Sequence, residues 1–187
     1  TIYFGGGTPS MISIGDLDKI LGTIFKHFAV NPFSEITLEA NPDDLTFPKL
    51  IDLRRIGVNR LSIGIQSFHD GILKFLNRAH DSQLALSSFG DARKAGFENI
   101  SIDLMYALPG QDLKAWKKNI DQALGLTPSH ISAYSLTIEE KTVFGKWAAT
   151  KKIKPSDDDA SAQEMILLID ELERGGFEHY EVSNFSK

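Results

Sequence analysis

Apolar residues recur along this chain in two alternating rhythms, short continuous runs and longer stretches in which they fall every third or fourth position. Leu17, Ile20, Leu21, Ile24, Phe25 and Phe28 share one face at helical period, and Ser13 with Asp16 supplies a start. Thr46 is placed to cap a helix through Leu50, Leu53 and Ile56, with Gly57 where a left-handed C-terminal cap belongs. The same rhythm returns with Ala85, Phe89 and Ala92, then with Leu113, Trp116, Ile120, Ala123 and Leu124 behind Asp112, and last with Met165, Ile166, Ile169 and Leu172. Between these stretches the short runs before Gly5 and at 36–39, 61–65, 100–104, 131–136 and 180–183 read as strands. The pattern predicts about six strands and five intervening helices, with the polar stretch 151–159 around Pro155 as a loop.

Strand and helix in strict alternation imply parallel strands joined by crossovers, because a parallel return must recross the sheet. The class is therefore α/β, either a doubly wound sheet or a (β/α) barrel. Polar residues distinguish the two: a doubly wound sheet gathers them at its switch point, whereas a barrel brings every strand's C-terminal end to one mouth. Here a glycine run follows the first strand, and Glu39, Gln66, Asp103 and the region of Thr137 close the later ones. That distribution favours a barrel or open part-barrel.

Composition narrows the function classes. At 187 residues and 42% hydrophobic the chain has the makings of an ordinary packed domain, and a net charge of -5 argues against a general nucleic-acid binder. It contains no cysteine, so its own residues offer neither disulfides nor thiolate metal ligands. No apolar run approaches the ~18 residues of a membrane span and no secretory leader is recognisable, so a cytoplasmic protein is expected. The first strand pattern is already under way at Thr1, and the chain stops just past another, as a piece of a longer protein would.

A mouth holding a glycine loop, Glu39, Gln66, Asp103 and Thr137 suits a polar small molecule: backbone N–H groups of Gly6 and Gly7 for a carboxylate, and the two acids for hydroxyls such as a ribose diol. No nucleophile stands beside a base. Each residue also has a plainer reading, with Gly5 to Gly7 as a tight strand-to-helix turn, Glu39 and Asp103 as caps or ion-pair partners, and Arg78 as a solvated helix-end cation. The histidines show no metal-ligand spacing and read as surface or packing residues. A phosphate-sugar-binding barrel fits the same pattern.

Six segments, GGGTPS, LEANPDD, GVNRLSIGIQSF, LNRAH, ISIDLMYALPGQ and YSLTIEEKT, stand in this order. The ordered set resembles the radical S-adenosylmethionine enzymes of the oxygen-independent coproporphyrinogen III oxidase family, and most closely their haem-chaperone branch, over nearly the whole chain. The resemblance implies a partial (β/α) barrel of about six parallel strands with intervening helices. Residues 1–187 would be its core-domain fragment, with the first strand, its cluster cysteines and a C-terminal domain lying outside. It implies S-adenosylmethionine and a [4Fe-4S] cluster as cofactors, the cluster ligands being beyond this chain, with one-electron cleavage of S-adenosylmethionine yielding a deoxyadenosyl radical. Carried over by position, Gly6, Gly7, Thr8, Glu39, Gln66, Arg78, Asp103 and Thr137 contact S-adenosylmethionine; no catalytic residue and no metal ligand is assigned. The implied function is a haem chaperone that hands haem to acceptor proteins, and the alternative is oxidative decarboxylation of coproporphyrinogen III to protoporphyrinogen IX. Members of the oxidase branch often carry Asp-Pro-Arg where this chain has Asn41-Pro42-Asp43, which favours the chaperone branch. The isolated fragment is expected to be inactive.

Overall fold

In the computed structural model, which describes residues 1–187, the two rhythms resolve into seven strands and seven helices. In chain order they are β1 (Ile2–Phe4), α1 (Ile14–His27), β2 (Ile36–Ala40), α2 (Phe47–Arg55), β3 (Arg60–Gln66), α3 (Asp70–Phe75), α4 (Ser82–Lys94) and β4 (Asn99–Tyr106). There follow α5 (Leu113–Gly125), β5 (His130–Ser135), α6 (Val143–Ala149), α7 (Asp158–Arg174), β6 (Glu178–Glu181) and β7 (Asn184–Ser186). The strand order is β1-β2-β3-β4-β5-β7-β6, in a mostly parallel sheet. The chain divides into two compact units, Thr1–Ile102 and Asp103–Lys187, with the boundary inside β4.

In the first unit β2 pairs in parallel with β1 and with β3. Residues 61–65 of β3 are buried without interruption, the signature of a parallel strand covered on both faces. Ser13 caps α1 as its sequence suggests, accepting the Asp16 N–H at 3.1 Å. Thr46 occupies the N-cap position of α2 but its side chain makes no cap bond; Pro48, two residues on, lacks one of the N–H groups such a cap would serve. The inward stripe of α1 is narrower than its apolar periodicity: Leu17 and Leu21 are buried, while Phe25 and Phe28 are exposed. Gly57 does stand past the end of α2 in left-handed geometry, at φ +103°.

In the second unit α5 buries Trp116, Ile120 and Ala123, and α7 buries Leu168, Leu172 and the acid Glu164. Ile166, expected on the inward face of α7, is 59% exposed. The stretch 180–183, read from the sequence as one strand, contains a reversal. The chain turns at Val182-Ser183, so β7 runs antiparallel between β5 and β6. Glu181 closes this turn, its Oε2 accepting from the Ser183 N–H at 3.3 Å and from the Asn184 amide. Helix α6 is an addition to the sequence reading, a seven-residue element capped by Thr142, whose Oγ1 accepts the Gly145 N–H at 3.0 Å. No helix is long and apolar enough to cross a membrane.

Two glycines separate backbone freedom from backbone need. Gly22 lies exposed within α1 with open space where a Cβ would stand, whereas Gly57 is left-handed. Gly22→Ala is expected to stabilise the protein by about 0.5–1 kcal/mol and Gly57→Ala to destabilise it by about 1 kcal/mol or more, read as opposite shifts of the urea midpoint.

Candidate functional site

The three glycines after β1 differ in what they require. At Gly5 there is no room, since a Cβ would lie 2.7 Å from Tyr3 Cε1 and 3.0 Å from Glu39 Oε1. Gly6 and Gly7 have space but sit at φ +80° and +59°, which disfavour a side chain. Glu39, near the end of β2, accepts the Tyr3 hydroxyl on Oε1 at 2.8 Å and the Gly6 N–H on Oε2 at 3.1 Å. The Gly6 donor that the sequence offered to a ligand carboxylate is thus already given to Glu39, which holds the loop in shape. Thr8 precedes a single 3-10 turn, Pro9–Met11, without capping it through its side chain. Fully buried Ser10 then donates to Asp44 Oδ2 at 2.6 Å and accepts the Asn41 N–H at 3.3 Å, and Lys49 donates to its carbonyl.

A second cluster forms at the end of β3. Gln66 is held at φ +66°, a left-handed geometry that costs an ordinary L-residue about 1–2 kcal/mol. Arg78, half-buried between α3 and α4, donates from Nη2 to Asn41 Oδ1 at 2.5 Å and to the Gly64 carbonyl at 3.2 Å. No carboxylate forms an ion pair with it. A Cβ on Gly64 would come within 3.0 Å of Gln66 Nε2 and 3.6 Å of both Arg78 Nη2 and Asn41 Oδ1, so this glycine makes the space in which the three side chains meet. His80 is 3% exposed, with Nε2 at 3.0 Å from the Ile65 carbonyl and Nδ1 at 3.6 Å from Asp43 Oδ1, too long for a hydrogen bond. Desolvation holds its pKa below the ordinary value, with the Arg78 charge acting in the same direction. At pH 7 the uncharged ring therefore predominates, and because a carbonyl can only accept, Nε2 carries the proton facing Ile65.

In the second unit Asp103 is half-buried along β4, and Thr137 is exposed beyond β5. Thr137 lines a cavity of about 530 Å³ with Ala107, Ser135, Ser156 and Ser161. Ala107, directly after β4, is left-handed at φ +57°. Its N–H donates to Glu164 Oε2 at 2.6 Å, Gln111 Nε2 donates to the same oxygen at 3.2 Å, and the Glu164 carbonyl accepts Trp116 Nε1 at 3.0 Å. Burial pushes the Glu164 pKa up, and the bonds from Ala107 and Gln111 work against that shift.

The sequence reading thus names Gly6, Gly7, Thr8, Glu39, Gln66 and Arg78 in the first unit and Asp103 and Thr137 in the second. It misses the residues that hold them. Tyr3 reads only as a strand residue, Asn41 only as part of the Asn41-Pro42-Asp43 departure from the oxidase branch, and Gly64 carries no sign of the side chains it makes room for. The free charge of Arg78 fits a ligand carboxylate, and the cavity, which adds the acids Glu140 and Asp158 and the apolar Leu136 and Ile138 to its hydroxyls, fits a ligand with both polar and apolar parts. An iron–sulfur cluster does not fit the residues present, which include no cysteine and no group of three or more side chains able to hold a metal.

Residues 1–123 match the family model of the Radical SAM superfamily. The chain is 42% identical over 188 residues to the heme chaperone HemW of Bacillus subtilis, covering 100% of this chain and 50% of the relative. It is 37% identical to the mitochondrial radical S-adenosyl methionine domain-containing protein 1 of Danio rerio, over 100% of this chain and 42% of the relative. Among solved structures it resembles the coproporphyrinogen III oxidase HemN of Escherichia coli, a radical SAM enzyme, with TM-score 0.86 and 26% identity over 99% of this chain and 42% of that one. The chain spans about half the length of the curated relatives it matches.

The neutral state of His80 has a measurable consequence. Because its folded pKa lies below 6.5, the unfolded chain takes up the proton first as pH falls, and stability declines from about pH 6.5 down to the folded value. Glu164, with its pKa raised above 4.5, contributes a slope of opposite sign, so the comparison must be between variants. His80→Gln, which keeps a donor for the Ile65 carbonyl, is expected to flatten the decline between pH 7 and pH 5 in urea denaturation. Parallel curves for the two proteins would show that His80 does not titrate in this way.

Proposed function

Because the chain belongs to the radical S-adenosylmethionine superfamily, we propose that it is the S-adenosylmethionine-binding core of a cytoplasmic haem chaperone that passes haem to acceptor proteins. Identity of 42% across the whole chain to a protein named for that role supports the branch. The observation that carries the cofactor reading is Arg78, a half-buried cation with only neutral oxygens as partners. Uncompensated charge in such a place is costly, and a ligand carboxylate relieves it through charge-assisted hydrogen bonds. The methionine end of S-adenosylmethionine supplies that group.

In this reading Arg78 takes the carboxylate, while Gly6, Gly7 and Thr8 shape the loop beside it. Glu39 keeps that loop in place and Gln66 offers its amide. Asp103 accepts from a ribose hydroxyl, and Thr137 contributes from its cavity. Bound S-adenosylmethionine supplies one-electron radical chemistry in company with a [4Fe-4S] cluster. Haem is the cargo. The likeness to a coproporphyrinogen III oxidase supports a second reading, decarboxylation of a porphyrinogen.

Full-length protein with a reconstituted cluster decides among these. Arg78→Ala and Asp103→Ala are each expected to weaken S-adenosylmethionine binding by about 1–3 kcal/mol in calorimetric titration; wild-type affinity in both would remove these residues from the site. Haem titration should show binding, and anaerobic incubation with coproporphyrinogen III, S-adenosylmethionine and a reductant should yield no protoporphyrinogen. Robust turnover would instead establish the oxidase. The 187-residue chain alone, having no thiolate to offer, should retain no iron or sulfide after anaerobic reconstitution and desalting.

A further inference from the structure

We infer that Glu164 is a positioning residue for the cofactor cavity: its carboxylate holds Ala107 in left-handed geometry, and through Ala107 it sets one wall of that cavity. Resting on the cofactor reading above, the inference assigns a role to an acid that neither the motifs nor the helical pattern singles out. Glu164 stands on α7 at a core position, four residues before Leu168, and is 3% exposed. A leucine would satisfy the packing of such a position without the cost of burying an acid.

What the carboxylate adds is local. One oxygen, Oε2, receives the Ala107 N–H at 2.6 Å and the Gln111 side-chain N–H at 3.2 Å, so it closes the turn 107–111 at both ends. The bond to Ala107 is short, and the same oxygen is shared with Gln111. An alanine at φ +57° returns to right-handed or extended backbone unless something holds it there. The residue so held lines the same cavity as Thr137. Glu164 is itself fixed, because its carbonyl accepts Nε1 of fully buried Trp116 on α5. The packing of α7 on α5, tied by this bond, thus presents the acceptor to the end of β4.

The experiment uses full-length protein with its cluster and two readouts: calorimetric titration with S-adenosylmethionine, and hydrogen exchange of the Ala107, Leu108, Gly110 and Gln111 amides without ligand. Glu164→Leu is expected to weaken binding about tenfold, on the scale of one lost hydrogen bond, and to speed exchange in the turn. Glu164→Gln, which keeps an acceptor oxygen, should stay within about threefold of wild type. Adding Ala107→Gly to Glu164→Leu makes the left-handed backbone intrinsic and should restore most of the lost affinity. Wild-type affinity and exchange in Glu164→Leu, or no recovery in the double variant, overturns the inference. If Glu164→Leu does not fold, Ala107→Val decides, because a β-branched residue resists this geometry with Glu164 intact; unchanged affinity there overturns it too. Wild-type protein that binds no S-adenosylmethionine sinks the cofactor reading and the cavity role together, and the exchange data alone then report whether Glu164 holds the turn.

Discussion

Arg78 carries a full charge in a half-buried place where its partners are two neutral oxygens, Asn41 Oδ1 at 2.5 Å and the Gly64 carbonyl at 3.2 Å, and the first unit is arranged around that fact. A guanidinium presents five N–H donors in a fixed fork, and two neutral acceptors leave much of that capacity for an incoming anion. The neighbours serve the same end. Gly64 leaves space where a Cβ would press on the Gln66 amide and touch Arg78. Gln66 accepts a costly backbone geometry at the strand end, and His80 fastens the segment after Arg78 to β3 through the Ile65 carbonyl. Donors held in place before the ligand arrives need no reorganisation when it binds, which is how a static fold contributes affinity.

The two acids best defined in the structure act as clamps. Glu39 takes the Gly6 N–H beyond β1, and Glu164 takes the Ala107 N–H beyond β4. In both cases a carboxylate from another element captures a backbone donor just past the end of a strand, at a residue with positive φ. An irregular turn leaves its N–H groups without ladder partners, and a buried or half-buried carboxylate is a strong acceptor for them. The loops that shape the candidate site are therefore rigid for reasons that lie outside the loops themselves. Their environments differ, however: Glu39 is half-exposed, whereas Glu164 is buried and its pKa is driven upward by that burial.

Much of this protein was legible in its sequence because period and chain punctuation are local properties. The helices around Leu17, Leu50, Phe89, Trp116 and Leu172 and the strands of the parallel array follow from spacing alone, and Gly57 marks a helix end because only its neighbours' geometry is at issue. The family was legible too, in six short segments whose order survives even where single residues depart. The reversal at Val182-Ser183 was not, since it contains none of the glycine, asparagine or aspartate that usually announces a hairpin and depends on Glu181 closing it from the side. Nor was the core place of Glu164, because charge argues for the surface until a turn from elsewhere supplies the N–H groups that make burial tolerable. The candidate residues could be named from the chain, but their partners could not: Tyr3 is 36 positions from Glu39, Asn41 is 37 from Arg78, and Ala107 is 57 from Glu164. Spacing specifies an element, whereas a hydrogen bond between distant residues exists only once packing has brought donor and acceptor within about 3 Å.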